Sequence, residues 1–455
     1  MKVNVAVPAV KIYTHEGGRA VKINDEAQLR RSVMAHMLFE GEFYEDGTKI
    51  TDRIAALVPK LKFETVAQIA IDARTKSKLR HVPLFIAKEC LKHFKGRKVG
   101  DMIMQIIQRP DEISELLALY WKDGKRPLAK QLKLGLARAL NKFDEYEMKK
   151  WDGGNAAIKL RDVLFLVHAR PQNAKIAHIF AKMANKTHIP AKIVEQYGFE
   201  PNVVGLASAE TWENRLSRGE NKRAVFEEMI REGKLGALAM LRNMRNMLES
   251  GVPDDVIREG LRNIKVERVL PFRFISAAKY APRFEPELEA AMLKCIEGMS
   301  KIPGETLLVI DVSGSMSSTV SSRSELTRFE AACGLAMLAR ELCETVRVVT
   351  FSDRVVEVVP RRGFALRDLI LKSQPHSGTQ LGAAVQVANS IAKPEGRMIV
   401  FTDEQTAGRV PEPKMTAYMV NVASAQNGVG YGKWMHVDGW SEATLAFISE
   451  LEKAE

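Results

Sequence analysis

The chain has 455 residues, 46% of them apolar and 27% charged, a composition of two or three globular domains that excludes a disordered chain. No run approaches the roughly 18 uncharged apolar residues of a membrane helix, and the amino-terminal stretch lacks the apolar core of a secretion signal. The net charge of +12 is uneven: residues 301–455 hold 16 Lys and Arg against 18 Asp and Glu, so the first 300 residues carry the whole basic excess, the electrostatic footprint of a polyanion-binding surface.

A short hairpin opens the chain, with extended runs at 10–14 and 19–23 flanking His15-Glu16-Gly17-Gly18. Amphipathic segments follow at 26–39, 64–73, 82–94, 111–121, 128–143, 161–169, 174–184, 223–233, 235–250, 254–264 and 285–299. Each has apolar residues at three- and four-residue spacing, and Pro, Gly or Asp marks most joints. Helices in close succession, with no strand between them, read as antiparallel pairs of an α-solenoid with units of roughly 40 residues. The repeat is weak, so a compact helical domain is the alternative. Four scattered cysteines (Cys90, Cys295, Cys333, Cys343) contain no C-x-x-C pair, which argues against a zinc site or disulfide framework and suits a reducing cytoplasm.

Positive charge is densest between Trp121 and Pro190, where fifteen Lys and Arg, Lys186 among them, face six acids. In 128–143, Leu128, Leu132, Leu136 and Leu140 line one side of a helix. Lys130, Arg138 and Lys142 project from the other, and Lys133 belongs to the same run. Gly135, costly in mid-helix, signals a close approach. Phosphate contacts from such residues are salt-sensitive and indifferent to base sequence. Aromatic residues are 7% and are not interleaved with the basic run, and no helix-turn-helix, RNP or zinc-finger motif occurs. Shape or single-stranded ends, rather than an aromatic platform, are therefore the expected objects of recognition.

At Lys301-Ile302-Pro303-Gly304 the pattern changes. Apolar, β-branched runs at 306–313, 345–351, 397–403 and 417–423 alternate with helical stretches at 325–343, 363–371, 380–392 and 442–452. This is the order of a doubly wound, Rossmann-like α/β domain that buries a parallel sheet and binds ligands at the carboxyl ends of its strands.

The first strand ends in Asp311-Val312-Ser313-Gly314-Ser315, a carboxylate and two hydroxyls on one tight loop. Hard divalent cations take oxygen donors of this kind. Thr379, before a helix, and Asp403, after a strand, supply candidates from two other loops. Asp311, Ser313, Ser315, Thr379 and Asp403 together resemble the metal-ion-dependent adhesion site of von Willebrand factor A domains. Mg²⁺ is the expected ion, with Mn²⁺ or Ca²⁺ as alternatives. Neutral hydroxyls and few carboxylates suit capture of an anionic group rather than turnover, because no placed base and nucleophile accompany them. His376 reads as a surface residue. Glu404 stands where many members of that family have Gly, adding negative charge beside the ion without removing a ligand.

A basic helical part followed by an A domain resembles the Ro autoantigen family, in which a TROVE domain precedes a von Willebrand factor A domain, as in a bacterial or phage member. Residues 162–171 are similar to the family's D-L-L-x-L-x-H-x-K-P run, 241–247 to its L-R-N-x-R-N segment, and 270–274 to a further stretch. The resemblance implies an all-α HEAT-like solenoid closed into a ring over residues 1–300, with the A domain of residues 301–455 closing it. It implies Y-like small noncoding RNA on the outer basic surface, single-stranded ends of misfolded RNA in the central hole, and work with an exoribonuclease. His168 matches the family's RNA-binding histidine and Lys142 an RNA-contacting lysine before it, with Arg170 close by. The stretch 144–155 is longer than the family pattern, so matching stops there.

The resulting expectation is a cytoplasmic, non-enzymatic RNA-binding protein, monomeric apart from its RNA and independent of membranes. It would act as an RNA chaperone or quality-control factor, or as a scaffold for a processing nuclease. The alternative is a metal-dependent protein-interaction adaptor whose basic part binds acidic protein. A nuclease using Asp311 and Asp403 would need a carboxylate cluster that the sequence does not supply.

Overall fold

The computed structural model describes residues 12–14, 16–20, 22–34, 47–77, 79–151, 158–184, 195–196, 211–266, 269, 271–297, 299–320, 325–423, 425–439, 444–445, 448–449 and 452. Lys186, His15, residues 35–46 and most of the expected helix at 442–452 lie outside the described residues. The chain divides into two compact units, residues 51–215 and residues 1–50 with 216–455.

Helix α1 (Asp25–Met34) belongs to the composite unit, and α2 (Gly47–Leu57) leads into the other. There follow α3 (Phe63–Thr75), α4 (His81–His93), α5 (Val99–Ile106), α6 (Pro110–Tyr120), α7 (Lys130–Leu140), α8 (Glu145–Trp151), α9 (Leu160–Val167) and α10 (Ala174–Met183). They stack in two layers. In one, α3 packs on α5, α5 on α7 and α7 on α9; in the other, α4 packs on α6 and α6 on α8. This is the helix-pair stacking of a HEAT-like solenoid, and it decides the question left open by the weak repeat.

The packing follows from the apolar spacing. Leu132, Leu136 and Leu140 are fully buried on one side of α7, while Lys130 and Arg138 are exposed. Leu128, expected inside this helix, precedes it and is half-buried. Gly135 is where α7 meets α5: a Cβ there would lie 2.7 Å from Ile103 Cβ, and one at Gly100 would lie 2.8 Å from the Gln131 carbonyl oxygen. Two glycines thus let the helices cross at near backbone contact.

Helix α11 (Trp212–Ser217) spans the boundary between the units, and in the composite unit α12 (Lys222–Arg231), α13 (Ala237–Arg242), α14 (Met244–Glu249), α15 (Asp254–Arg262), α16 (Phe272–Tyr280) and α17 (Glu285–Lys294) precede the sheet. The helix expected at 235–250 is two, parted at Asn243, whose amide donates to the Ala239 carbonyl at 2.8 Å. Strands β1 (Ile302–Asp311), β2 (Cys343–Phe351), β3 (Val355–Val358), β4 (Arg397–Thr402), β5 (Thr416–Asn421) and β6 (Met435–Asp438) form one sheet in the order β3-β2-β1-β4-β5-β6. All neighbours are parallel except β2 and β3. The segment 301–304, read as a joint, is largely the start of β1, with Gly304 at φ 82°.

Every residue of β4 is buried, as is the carboxyl half of β1. Helices α18 (Arg328–Leu342), α19 (Gly363–Leu371) and α20 (Leu381–Ile391) accompany the sheet. Helix α16 docks on α18 so closely that a Cβ at Gly334 would stand 2.4 Å from the Phe272 ring. Chain order reverses between β1 and β4, which makes the crevice beyond their carboxyl ends the expected ligand position of such a sheet.

The opening hairpin is an antiparallel bridge, Tyr13 to Arg19. It lies against the loop after β4, where the Thr14 hydroxyl donates to the Thr406 carbonyl at 2.7 Å. Among the described residues no helix is long and apolar enough to cross a membrane, and no disulfide joins the cysteines.

Candidate functional site

The loops after β1 and β4 meet at the switch point. Asp311 is buried at the end of β1; its Oδ1 accepts the Ser313 N–H at 2.9 Å and its Oδ2 accepts the Thr402 hydroxyl at 2.6 Å. The Ser313 and Ser315 hydroxyls lie 3.3 Å apart, and Ser315 donates to Asp403 Oδ2 at 2.6 Å. Asp403 Oδ1 accepts the Gln405 N–H at 3.1 Å. The loop carrying Thr379 closes the third side: the Gly314 N–H donates to the Ser377 carbonyl at 3.1 Å, and the Thr379 carbonyl accepts the Thr406 hydroxyl at 3.0 Å. All five expected ligands therefore sit on three loops at one end of the sheet.

Burial, and then the charge of Asp403, push the Asp311 carboxyl up to about 7. A crowded pair of carboxylates with surrounding hydroxyls is an oxygen-only donor set, and it fits a hard divalent cation, whose charge would relieve both acids. Among the described residues no group of three or more His, Cys, Asp or Glu is placed to hold a metal, so this site would rest on two carboxylates and hydroxyls.

Several residues of this site were not anticipated. The fully buried Arg328, at the start of α18, places Nη1 3.5 Å from Asp403 Oδ2. The Thr402 hydroxyl orients Asp311. Beyond β2, Asp353 accepts from the Ser377 hydroxyl and from the Gly378 N–H at 3.0 Å, and the Ser352 hydroxyl accepts the Ser377 N–H at 2.9 Å. These contacts fix the Thr379 loop. His376 is exposed, yet its Nδ1 lies 2.7 Å from the Val312 carbonyl, which makes it a brace between the two loops.

Glu404 departs from its expected role. Its backbone takes φ 59°, the left-handed region that a Gly would enter without strain, and its carboxylate turns into a buried cluster away from Asp403. Glu404 Oε2 accepts Arg31 Nη1 from α1 at 2.6 Å and the Val429 N–H at 3.1 Å, while Oε1 pairs with His436 Nε2. Asp438 lies 3.6 Å from Arg31 and 3.4 Å from His436 Nδ1, and Tyr431 stacks on His436 at 4.0 Å. Burial alone would lower the His436 pKa; the carboxylates of Asp438 and Glu404 outweigh it and raise it to about 9.

In the helical unit, His168 and Arg170 meet the carboxyl end of α7, while Lys130, Lys133 and Arg138 are spread along that helix. Helix α9 stops at Val167, and His168, outside it, is exposed in the left-handed region at φ 51°. Arg170 is exposed two residues on. Asn141 ties this turn to α7: its amide donates to the Arg170 carbonyl at 3.1 Å and its Oδ1 accepts the Gln172 N–H at 2.9 Å. Lys142 is exposed, but its ammonium is engaged. Its ammonium donates to the Met104 carbonyl at 3.0 Å and to that of Ile107, the open carboxyl end of α5, and burial lowers its pKa. Arg138 pairs with Asp101, Lys130 is exposed, and Lys133 is half-buried.

Aromatic rings and cations interleave around α8 and at the end of α6. The Arg109 guanidinium lies 3.8 Å from the Trp151 ring centroid, and the Lys150 ammonium lies 5.6 Å from Trp151 and 5.9 Å from Tyr146. Arg126 stands over Tyr120 at 4.1 Å. Tyr146, Lys150 and Trp151 already alternate within α8, and the contact between α6 and α8 adds Arg109.

Residues 202–329 match the TROVE domain family, and residues 306–405 match the von Willebrand factor type A domain family. The two-part resemblance read from the sequence is thereby borne out. Over 91 residues the chain is 37% identical to telomerase protein component 1 of Rattus norvegicus and equally to that of Mus musculus. Each match covers 19% of this chain and 4% of the relative, so the chain spans a small fraction of those proteins' length. The fold is similar to the crystal structure of the Deinococcus radiodurans RO (RSR) protein, with a TM-score of 0.58 and 17% identity over 95% of this chain and all of that one. At that identity the likeness is one of fold.

Proposed function

We propose that this chain is a cytoplasmic, non-enzymatic protein that holds small noncoding RNA, structured and with single-stranded ends, on the basic helical surface of residues 1–300. The carrying observation is the α7–α9 corner, where exposed His168 and Arg170 lie on a turn that Asn141 ties to α7 through Arg170 and Gln172. Lys130, Lys133, Arg138 and the exposed Lys142 add phosphate contacts along α7 and just beyond it, and Lys142 also caps α5. Such contacts position RNA by its backbone and shape. The role is that of an RNA chaperone or quality-control factor, with an exoribonuclease as a further partner and the protein otherwise monomeric. The TROVE match and the fold likeness support this reading, including a helical ring closed by residues 301–455.

In that A domain, Asp311, Ser313, Ser315, Thr379 and Asp403 would hold a divalent cation, Mg²⁺ before Mn²⁺ or Ca²⁺. When bound, the ion would supply an open coordination position for an anionic group. This chain's own residues do the rest: Thr402 and the Ser313 N–H orient Asp311, Arg328 balances Asp403, and His376, Ser352 and Asp353 hold the Thr379 loop.

The test is a gel shift with a hairpin RNA, with and without a single-stranded 3′ tail, in competition with polyglutamate. RNA binding that the tail strengthens, that polyglutamate does not displace and that His168→Ala/Arg170→Ala loses supports the proposal. Wild-type protein that ignores RNA and binds polyglutamate would overturn it in favour of a metal-dependent adaptor for acidic proteins.

A further inference from the structure

The geometry points to a base-stacking contact for single-stranded RNA on α8, built from Tyr146 and Trp151 with Lys149, Lys150 and Arg109. It rests on the RNA reading above and names where a strand would be read by its bases.

Four side chains form a ladder of ring, cation, ring, cation: Tyr146, Lys150, Trp151 and Arg109, with spacings of 5.9, 5.6 and 3.8 Å. The ladder is held at its inner end. Arg109 is clamped by Asp111, Nε to Oδ1 at 3.1 Å and Nη2 to Oδ2 at 2.7 Å, so the plane of the half-buried Trp151 is fixed. The outer end is open: Tyr146 is 53% exposed, on a helix whose inward anchor is the fully buried Met148. Lys149 and Lys150 are exposed beside it.

The acids of this helix are occupied elsewhere. Asp144 Oδ1 accepts the Glu147 N–H at 2.8 Å and Glu147 Oε2 accepts the Asp144 N–H at 3.1 Å, a reciprocal cap, while Glu145 pairs with Lys182 at 2.9 Å. The lysines therefore face water rather than these carboxylates. A single strand alternates flat bases with phosphates, and an open ring flanked by cations matches that alternation. An acidic peptide would engage the lysines and leave the rings without a partner.

The experiment measures the affinity of the full chain by fluorescence anisotropy for a hairpin RNA carrying an unpaired 3′ tail and for the same hairpin blunt-ended. Variants are Tyr146→Ala, Tyr146→Phe and Lys149→Ala/Lys150→Ala, each checked for an unchanged melting temperature. Tyr146→Ala should weaken binding of the tailed RNA on the order of tenfold, the scale of one base–aromatic stack, with the same salt dependence. Tyr146→Phe should restore it, and the double lysine variant should flatten the salt dependence. Tyr146→Ala with wild-type affinity for the tailed RNA overturns the stacking contact while leaving RNA binding intact. Wild-type protein that binds neither RNA overturns the underlying reading and this inference with it.

Discussion

Glu404 occupies a backbone position suited to glycine and keeps it because three groups, Arg31, His436 and the Val429 N–H, hold its carboxylate. Arg31 is central: a guanidinium 1% exposed that neutralises Glu404 and approaches Asp438. Arg31→Met would leave two buried carboxylates facing one imidazolium, a loss of about 3–5 kcal/mol by urea denaturation. His436 gives the cluster a pH signature. Its folded pKa, raised to about 9 from the ordinary 6.5, means that its contribution to stability is complete below about 6.5 and is lost as pH rises through 9. The urea midpoint should fall across that window in the wild type and stay flatter in His436→Gln.

The five ligand candidates were legible because D-x-S-x-S is local and because Thr379 and Asp403 flank recognisable elements. Arg328 and Asp353 were not, since their role depends on loops that only the sheet brings together. Nor could sequence spacing pair Arg31 with Glu404. Lys142 is exposed as helix periodicity says, but periodicity does not show that its flexible amine reaches a neighbouring helix end.

At the scale of elements, the crossing of α5 and α7 is the tightest constraint near the basic corner. Gly135→Ala would raise helix propensity, yet its methyl would meet the branched Ile103 at 2.7 Å. The clash wins, and the variant should lose about 1–3 kcal/mol in chemical denaturation. Asn141→Ala removes the clasp between α7 and the turn of Arg170; roughly 1–2 kcal/mol of stability and a severalfold loss of RNA affinity should go together. The long helices were readable from apolar spacing, and the clash at Gly135 is the close approach its mid-helix position signalled. Strands β3 and β6 were missed because both are four-residue edge strands, β6 half-buried throughout, without the apolar run that marks β1 or β4.

Across the whole molecule, charge and fold divide the work. The basic excess lies before residue 301, and the oxygen-rich loops lie after it. The amino-terminal segment reaches the latter through Thr14 and Arg31, so residues 12–34 should matter for the A domain more than for RNA. Thr14→Val, which removes the bond to Thr406, should weaken Mg²⁺ binding by calorimetry and leave RNA affinity unchanged.

The central claim is that RNA is held by backbone contacts at the α7–α9 corner, apart from the A-domain loops. It is tested most directly by the slope of log affinity against log salt for a tailed hairpin RNA, between about 50 and 200 mM. The wild type and Asp311→Ala should share one steep slope, and His168→Ala/Arg170→Ala should bind more weakly with a shallower one. Equal slopes and affinities for the wild type and the corner variant, with loss in Asp311→Ala, would contradict the account and place the RNA at the A-domain loops instead.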